Sequence, residues 1–333
     1  MGYKIVNESL NLIFEKLSKD YCIYAPKVFE GDGTFSDVDV IRYGEISKVE
    51  EIVFDKKSEY SFKEVISPIT QTLFYFTEDE VTVPSGPKKG VIVFLRSCDM
   101  HALKRMDQIY LNNGPEDFYY KRVRENTKFI LMGCTETFDN CFCLDMGSNK
   151  TDEYDAYVKV DKEDVYIEIK DKEFEDIFNG EKVDFNINFV ESNGVYVNLP
   201  KDMDPLKVSQ ADFWRDYDYR CIACGRCNFV CPTCTCFTMQ DIFYRDNGKV
   251  GERRRIWASC QINGYTDMAG GISFRKPQGD KMRFKVMHKV YDYKKRFGYH
   301  MCVGCGRCDD ICPEYISFSN CINKLEDAIK EVE

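Results

Sequence analysis

Hydrophobic and polar positions follow three rhythms along this chain. From Ser9 to Ser18 apolar residues fall at Leu10, Ile13, Phe14 and Leu17, the three-and-four spacing that lines one face of a helix. Val91–Arg96 and Lys128–Met132 are short apolar runs that read as strands. Between them, Asp99–Tyr110 carries Met100, Leu103, Met106 and Ile109 at helical spacing. Strand, helix, strand in that order predicts a parallel βαβ unit, so the first half is expected to be an α/β domain. Ala156–Val160 and Val165–Ile169 alternate apolar and polar residues around Asp161–Asp164, which predicts a β-hairpin. An acidic, loop-rich stretch follows to about Pro205. The expected division is 1–208 for the α/β domain and 209–333 for a cysteine-rich second domain, in which Met282–Arg296 again reads as helix.

Composition narrows the class. With 333 residues, 44% of them apolar, the chain is long enough for two domains with ordinary cores. Its longest wholly apolar run, Val91–Leu95, is far short of the roughly 20 residues of a membrane helix. Met1–Val6 has neither the apolar stretch of a signal peptide nor a myristoylation signal, so a cytoplasmic location is expected. In a reducing cytoplasm the seventeen cysteines point to metal ligation rather than disulfides. The three histidines, His101, His288 and His300, are too few for a His-rich zinc or non-haem iron enzyme. They also argue against a Rieske centre.

The net charge of −10 argues against nucleic-acid binding, but it is unevenly spread. Asp152–Lys207 holds sixteen acids against seven bases, which reads as a solvated face. Glu252–Arg296 holds twelve bases against four acids. That stretch is a solvated face, a dock for an acidic partner, or a counterweight to negative metal centres nearby.

Two copies of one cysteine device carry the chemistry. Cys221-Ile-Ala-Cys-Gly-Arg-Cys-Asn-Phe-Val-Cys-Pro232 and Cys302-Val-Gly-Cys-Gly-Arg-Cys-Asp-Asp-Ile-Cys-Pro313 are both C-x2-C-x2-C-x3-C-P, the bacterial ferredoxin run. Three thiolates at this spacing reach three corners of one [4Fe–4S] cubane from a tightly turned backbone. Gly225 and Gly306 let main-chain N–H groups approach the cluster sulfurs. The fourth cysteine of such a run ligates the other cluster. One set is therefore Cys221, Cys224, Cys227 and Cys312; the other is Cys302, Cys305, Cys308 and Cys231. Pro232 and Pro313 turn the chain away after each run. C-x2-C pairs also bind zinc, but zinc gives no reason for a doubled four-cysteine run ending in Cys-Pro. The 70 residues between Cys231 and Cys302 exceed the gap of a compact small ferredoxin. A mainly helical, ferredoxin-like domain binding two clusters is expected.

Cys98, Cys134, Cys141 and Cys143 form a weaker constellation. Cys98 and Cys134 each follow a predicted strand by two residues, so parallel neighbouring strands would release both thiols at one carboxyl edge, where open α/β sheets place ligands. Cys98 also opens the predicted helix, whose N-terminus favours a thiolate. The loop Thr135–Asn140 would fold Cys141 and Cys143 back onto that edge. These four are read as a third [4Fe–4S] site, against the plainer reading of small buried apolar residues. Cys234, Cys236 and Cys260 line a cluster pocket, replace one of the assigned ligands, or pack. Cys22 and Cys321 have no partner in sequence and read as core residues.

The segment from Cys221 to Cys312 resembles the iron–sulfur subunits of hydrogenase/sulfur reductase β type. The shared features are Cys231-Pro-Thr-Cys-Thr-Cys-Phe237, Trp257-Ala-Ser-Cys260, Ala269-Gly-Gly-Ile-Ser-Phe-Arg275, and His288-Lys-Val-Tyr291 before Lys295-Arg-Phe297. Ser36-Asp-Val-Asp-Val-Ile-Arg-Tyr-Gly-Glu45, Pro68-Ile-Thr-Gln-Thr-Leu-Phe-Tyr-Phe-Thr77 and Phe94-Leu-Arg-Ser-Cys-Asp99 extend the likeness over nearly the whole chain. So do Asp117-Phe-Tyr-Tyr-Lys-Arg122 and Asn140-Cys-Phe-Cys143, and together they resemble the A subunit of anaerobic sulfite reductase. That resemblance implies a non-catalytic relay, passing electrons from a flavin subunit that oxidises NADH to a sirohaem subunit that reduces sulfite to sulfide. Ile272-Ser273 stands where the β-type pattern has His-Asn before Phe-Arg, a departure that counts against a hydrogenase partner. No dinucleotide fingerprint follows a strand, and no hydrolytic triad is evident. The alternatives are a relay in a hydrogenase or sulfur reductase complex, a self-contained flavin and iron–sulfur oxidoreductase, and a structural zinc protein.

Overall fold

A computed structural model describes residues 2–33, 36–134, 136–178, 180–201 and 203–332. Thr135, which opens the loop expected to return Cys141 to the sheet edge, lies outside them, as does Met1 of the N-terminal hexapeptide. The chain forms two compact units. One takes in residues 1–68, 83–138 and 148–192, the other 69–82, 139–147 and 193–333.

The first unit is built on an eight-stranded mixed sheet. Its strands are β1 (Gly2–Val6), β2 (Tyr21–Phe29), β3 (Val40–Glu45), β4 (Gly90–Leu95), β5 (Thr127–Met132), β6 (Ala156–Asp161), β7 (Asp164–Ile169) and β8 (Glu181–Val183), in the order β8-β1-β7-β6-β5-β4-β2-β3. The centre is parallel: β4 pairs with β2 and β5, and β5 with β6. Val91 to Leu95 are all buried, as an unbroken apolar run must be when a central strand is covered on both faces. Helix α1 (Asn7–Leu17) lays Leu10, Ile13, Phe14 and Leu17 into that core, and Phe14 meets Phe94 edge-on at 6.0 Å. Each such buried side chain contributes about 1.5–3 kcal/mol. Helix α2 (Ser97–Tyr110) crosses from β4 to β5, completing the βαβ unit, and β6 and β7 form the hairpin.

The second unit is less helical than the residue pattern suggests. Thr70–Phe76, Val81–Thr82, Phe237–Phe243 and Gly251–Trp257 make a four-stranded antiparallel sheet, so the first half of the segment between the two cysteine runs is β. The second half is helical as expected: Gln278–Met287, a π turn at His288–Asp292, then Tyr293–Phe297. Trp214, Tyr217, Met282, Val286, Val290, Phe318, Ile322 and Leu325 form its core. Among the described residues no helix is long and apolar enough to cross a membrane.

Candidate iron–sulfur sites

The two cysteine runs fold alike. After Cys221 the backbone enters the left-handed region at Ala223 (φ 59°) and Gly225 (φ 74°), and after Cys302 it does so at Gly304 (φ 65°) and Gly306 (φ 70°). Gly225 and Gly306 then cap the one-turn helices Arg226–Phe229 and Arg307–Asp310. Alternating hands turn successive N–H groups to one side, the geometry of an anion-binding nest. One such donor reaches a thiol, Gly304 N at 3.4 Å from Cys302 Sγ; beyond the second run, Ile316 N lies 3.3 Å from Cys312 Sγ.

Two cavities lie beside these turns. Cys221, Cys224, Cys227, Cys308 and Cys312 line the first. Cys231, Cys302, Cys305 and Cys308 line the second, with Phe142 and Lys289. The first cavity draws three thiols from its own run and Cys308 and Cys312 from the other; the second draws three from its own run and Cys231 from the other; Lys285 borders both. Cysteine sulfurs with backbone N–H groups near two of them are the donor type that a 4Fe–4S cluster takes, although among the described residues no three of the side chains converge on one metal-ion position.

Burial pushes the thiols away from ionisation, lifting Cys302 to about 12 and Cys308 well above the ordinary thiol value. The counterweight is a file of lysines missed in the residue pattern. Lys281, Lys285 and Lys289 recur every fourth residue and so share one helix face, and all three are buried. Burial opposes the charge on Lys285, but attraction to Cys227, Cys308 and Cys234 outweighs it and raises its pKa. Lys289 is raised in the same way, against burial, by Cys231, Cys234 and Cys302, and its Nζ donates to Thr233 Oγ1 at 2.6 Å. The signal lay in the sequence as three cations at helical spacing between two thiol-rich motifs. Lys281 differs from the other two, because burial prevails there and lowers its pKa.

The π turn has a local consequence. It frees the Lys289 carbonyl, which accepts from Met301 N at 2.9 Å and Cys302 N at 3.2 Å and so ties the helix to the start of the second run. Asp309 anchors the far end, accepting from Phe318 N at 2.7 Å and from the hydroxyls of Ser317 and Ser319.

The four cysteines of the weaker constellation divide two and two between the units. Cys98 is buried in the first turn of α2, and Cys134 follows β5 with Arg96 Nη1 at 3.6 Å from its sulfur. Because β4 and β5 are parallel neighbours, both leave the sheet at one carboxyl edge. Cys141 and Cys143 belong to the second unit, where Cys141 Sγ contacts the Cys305 carbonyl at 3.4 Å and Phe142 N donates to Gly304 O at 2.8 Å. Cys321 is a core residue touching the Tyr217 hydroxyl at 2.8 Å. Cys22 is half-buried in β2.

Residues 220–316 match the family described as 4Fe-4S dicluster domain. The chain is also similar to sulfhydrogenase 2 subunit beta of Pyrococcus furiosus, 28% identical over 305 residues, covering 86% of this chain and 90% of that protein. No solved structure matches it. The chain therefore carries a 4Fe-4S dicluster domain toward its C-terminus, and the expectation of a sulfite reductase subunit finds no counterpart in these matches.

Proposed function

We propose that this chain is an electron-relay subunit of a multi-subunit hydrogenase or sulfur reductase complex. The observation that carries the reading is the pair of thiol-lined cavities, each including the last cysteine of the other run, with one buried lysine bordering both. In this reading the ligand sets are Cys221, Cys224, Cys227 and Cys312, and Cys302, Cys305, Cys308 and Cys231. A pair of [4Fe–4S] clusters held there would supply one-electron carriers. The chain's own part is to hold the two sets adjacent, keep water from the second, and offset thiolate charge with Lys285 and Lys289. The likeness to a sulfhydrogenase β subunit over most of both chains favours this complex over the sulfite reductase that the N-terminal motifs resemble.

The test is anaerobic co-purification with metal and cofactor analysis. A nickel–iron partner supports the proposal; a sirohaem partner returns the reading to sulfite reduction. Stoichiometric flavin on the isolated chain favours a self-contained oxidoreductase, and zinc in place of iron overturns the relay altogether. Two cubanes give about eight Fe per chain, and the third site expected at Cys98, Cys134, Cys141 and Cys143 raises the count to about twelve.

A further inference from the structure

Three cysteines of the second unit stand outside both four-thiol sets. Cys234 is engaged with Cys231. Cys236 and Cys260 face each other: their thiols share a hydrogen bond, and the Cys260 backbone N–H and the Tyr265 hydroxyl also point at the Cys236 sulfur. They are brought together by the antiparallel pairing of Phe237–Phe243 with Gly251–Trp257. Phe237 opposes Trp257, and Ala258 N donates to Cys236 O at 2.9 Å just beyond the ladder. Cys260 accepts in addition from Asn228 Nδ2 at 3.1 Å and Gln261 Nε2 at 3.7 Å, amides that are each 1% exposed.

Small core hydrophobes have no use for such company. Three donors converging on the Cys236 sulfur suit sulfur that carries negative charge, while the amides near Cys260 also serve Ser259 Oγ at 3.0 Å and the Lys281 carbonyl at 2.8 Å. Two thiols in direct hydrogen-bond contact are also closer than two corners of a cubane would hold them. The pair is asymmetric in access, with Cys236 half-buried and Cys260 buried. Its acidity divides the same way. The bond from Cys260 and those from Tyr265 and the backbone favour the Cys236 thiolate, while Cys260, as donor, keeps its proton.

We propose that Cys236 and Cys260 form a redox-active thiol pair that exchanges electron pairs with low-molecular-weight disulfides. The Cys236 thiolate attacks one sulfur of the disulfide, forming a mixed disulfide and expelling one thiolate. Cys260, deprotonated in turn, attacks Cys236 Sγ and expels the second thiolate. One cystine forms and one small disulfide is reduced to two thiols, which take one proton from Cys260 and one from solvent, the proton that Cys236 released on ionising.

The experiment uses cluster-loaded, anaerobic full-length protein equilibrated in dithiothreitol buffers of graded oxidised-to-reduced ratio. After acid quench and alkylation, peptides are read by mass spectrometry. A Cys236–Cys260 cystine should appear and titrate as a two-electron couple, tenfold in its oxidised-to-reduced ratio per tenfold in the buffer ratio. In Cys260→Ser treated with 2-hydroxyethyl disulfide in place of oxidised dithiothreitol, Cys236 should instead be trapped as a hydroxyethyl mixed disulfide, and in Cys236→Ser Cys260 should stay alkylatable. Both variants should keep the wild-type iron content. Thiols that stay alkylatable across the series, or linkage of Cys236 to another cysteine, overturn the proposal. So does iron loss from either variant, since it would make the pair cluster ligands. Wild-type protein without iron would defeat the relay reading and leave this titration interpretable.

Discussion

Replacing Lys285 by methionine removes the one buried cation that borders both thiol cavities among the described residues and keeps a side chain of similar length. Reduction of a cluster adds a negative charge, so loss of a neighbouring positive charge makes reduction harder. A unit charge about 6 Å from a cluster centre, at an effective dielectric of about 20, contributes about 2.8 kcal/mol. At about 59 mV per tenfold for one electron, that corresponds to about 120 mV. Partial relaxation and water entry reduce it, so both midpoints in Lys285→Met should fall by about 50–120 mV. The assay is an EPR-monitored redox titration of anaerobic holoprotein, with iron content matched to wild type. Lys289 borders only the second cavity, so Lys289→Met should shift one midpoint and leave the other nearly in place. Midpoints of Lys285→Met within about 20 mV of wild type, or moved upward, would refute the charge argument.

Other outcomes follow from the same structure. Cys312→Ser should disturb the same EPR signal as Cys221→Ser, and Cys231→Ser the same as Cys302→Ser; signals grouped by run instead would break the crossed assignment. Gly306→Ala should lose the second cluster and cost at least about 1–3 kcal/mol of stability, because φ is 70° and a Cβ would stand 2.2 Å from Asn140 O. Thermal melts with iron analysis check it. At Glu51, burial disfavours the charge, but Lys27 and the Ser47 and Lys48 N–H groups prevail and hold its pKa at about 2, below an ordinary 4.5. That depressed value adds stability fully present above about 4.5 and lost as pH falls toward about 2. Acid titrations of wild type and Glu51→Gln should therefore differ in slope only in that window.

What the residue pattern revealed was local. The helix at Leu10–Leu17, the strand-helix-strand around α2 and the hairpin of β6 and β7 were each legible because their periodicity lies within one element. The runs beginning at Cys221 and Cys302 were legible because ligand spacing is itself local. The sheet of the second unit was not. Gly251–Trp257 carries Glu252, Arg253, Arg254 and Arg255 in succession, with no alternation to read as strand. It is a strand because Thr70–Phe76, far off in sequence, pairs along one edge and Phe237–Phe243 along the other. Its charges are met across the sheet, Arg253 by Asp241 at 2.6 Å and Arg255 by Gln71 at 2.7 Å. The same long-range logic hid the placement of Cys141 and Cys143. Their segment follows β5 in the chain, yet its backbone pairs with the second cysteine run.

That pairing also explains a difference between two otherwise equal motifs. Both runs need a left-handed residue two places after the first cysteine; one uses Ala223 and the other Gly304. At Gly304 a Cβ would stand 2.4 Å from Phe142 O, so the segment bearing Cys141 and Cys143 lies against the backbone there and only glycine fits. Around Ala223, by contrast, Ile222 and Cys224 are exposed, whereas Val303 through Arg307 are buried without interruption. The small change from alanine to glycine thus tracks a large change in environment. One run is open to solvent, and the other is sheathed by residues 140–143. A cubane in the first would lie nearest the surface where a partner can approach. One in the second would sit in drier surroundings, where each buried lysine acts on it with less screening.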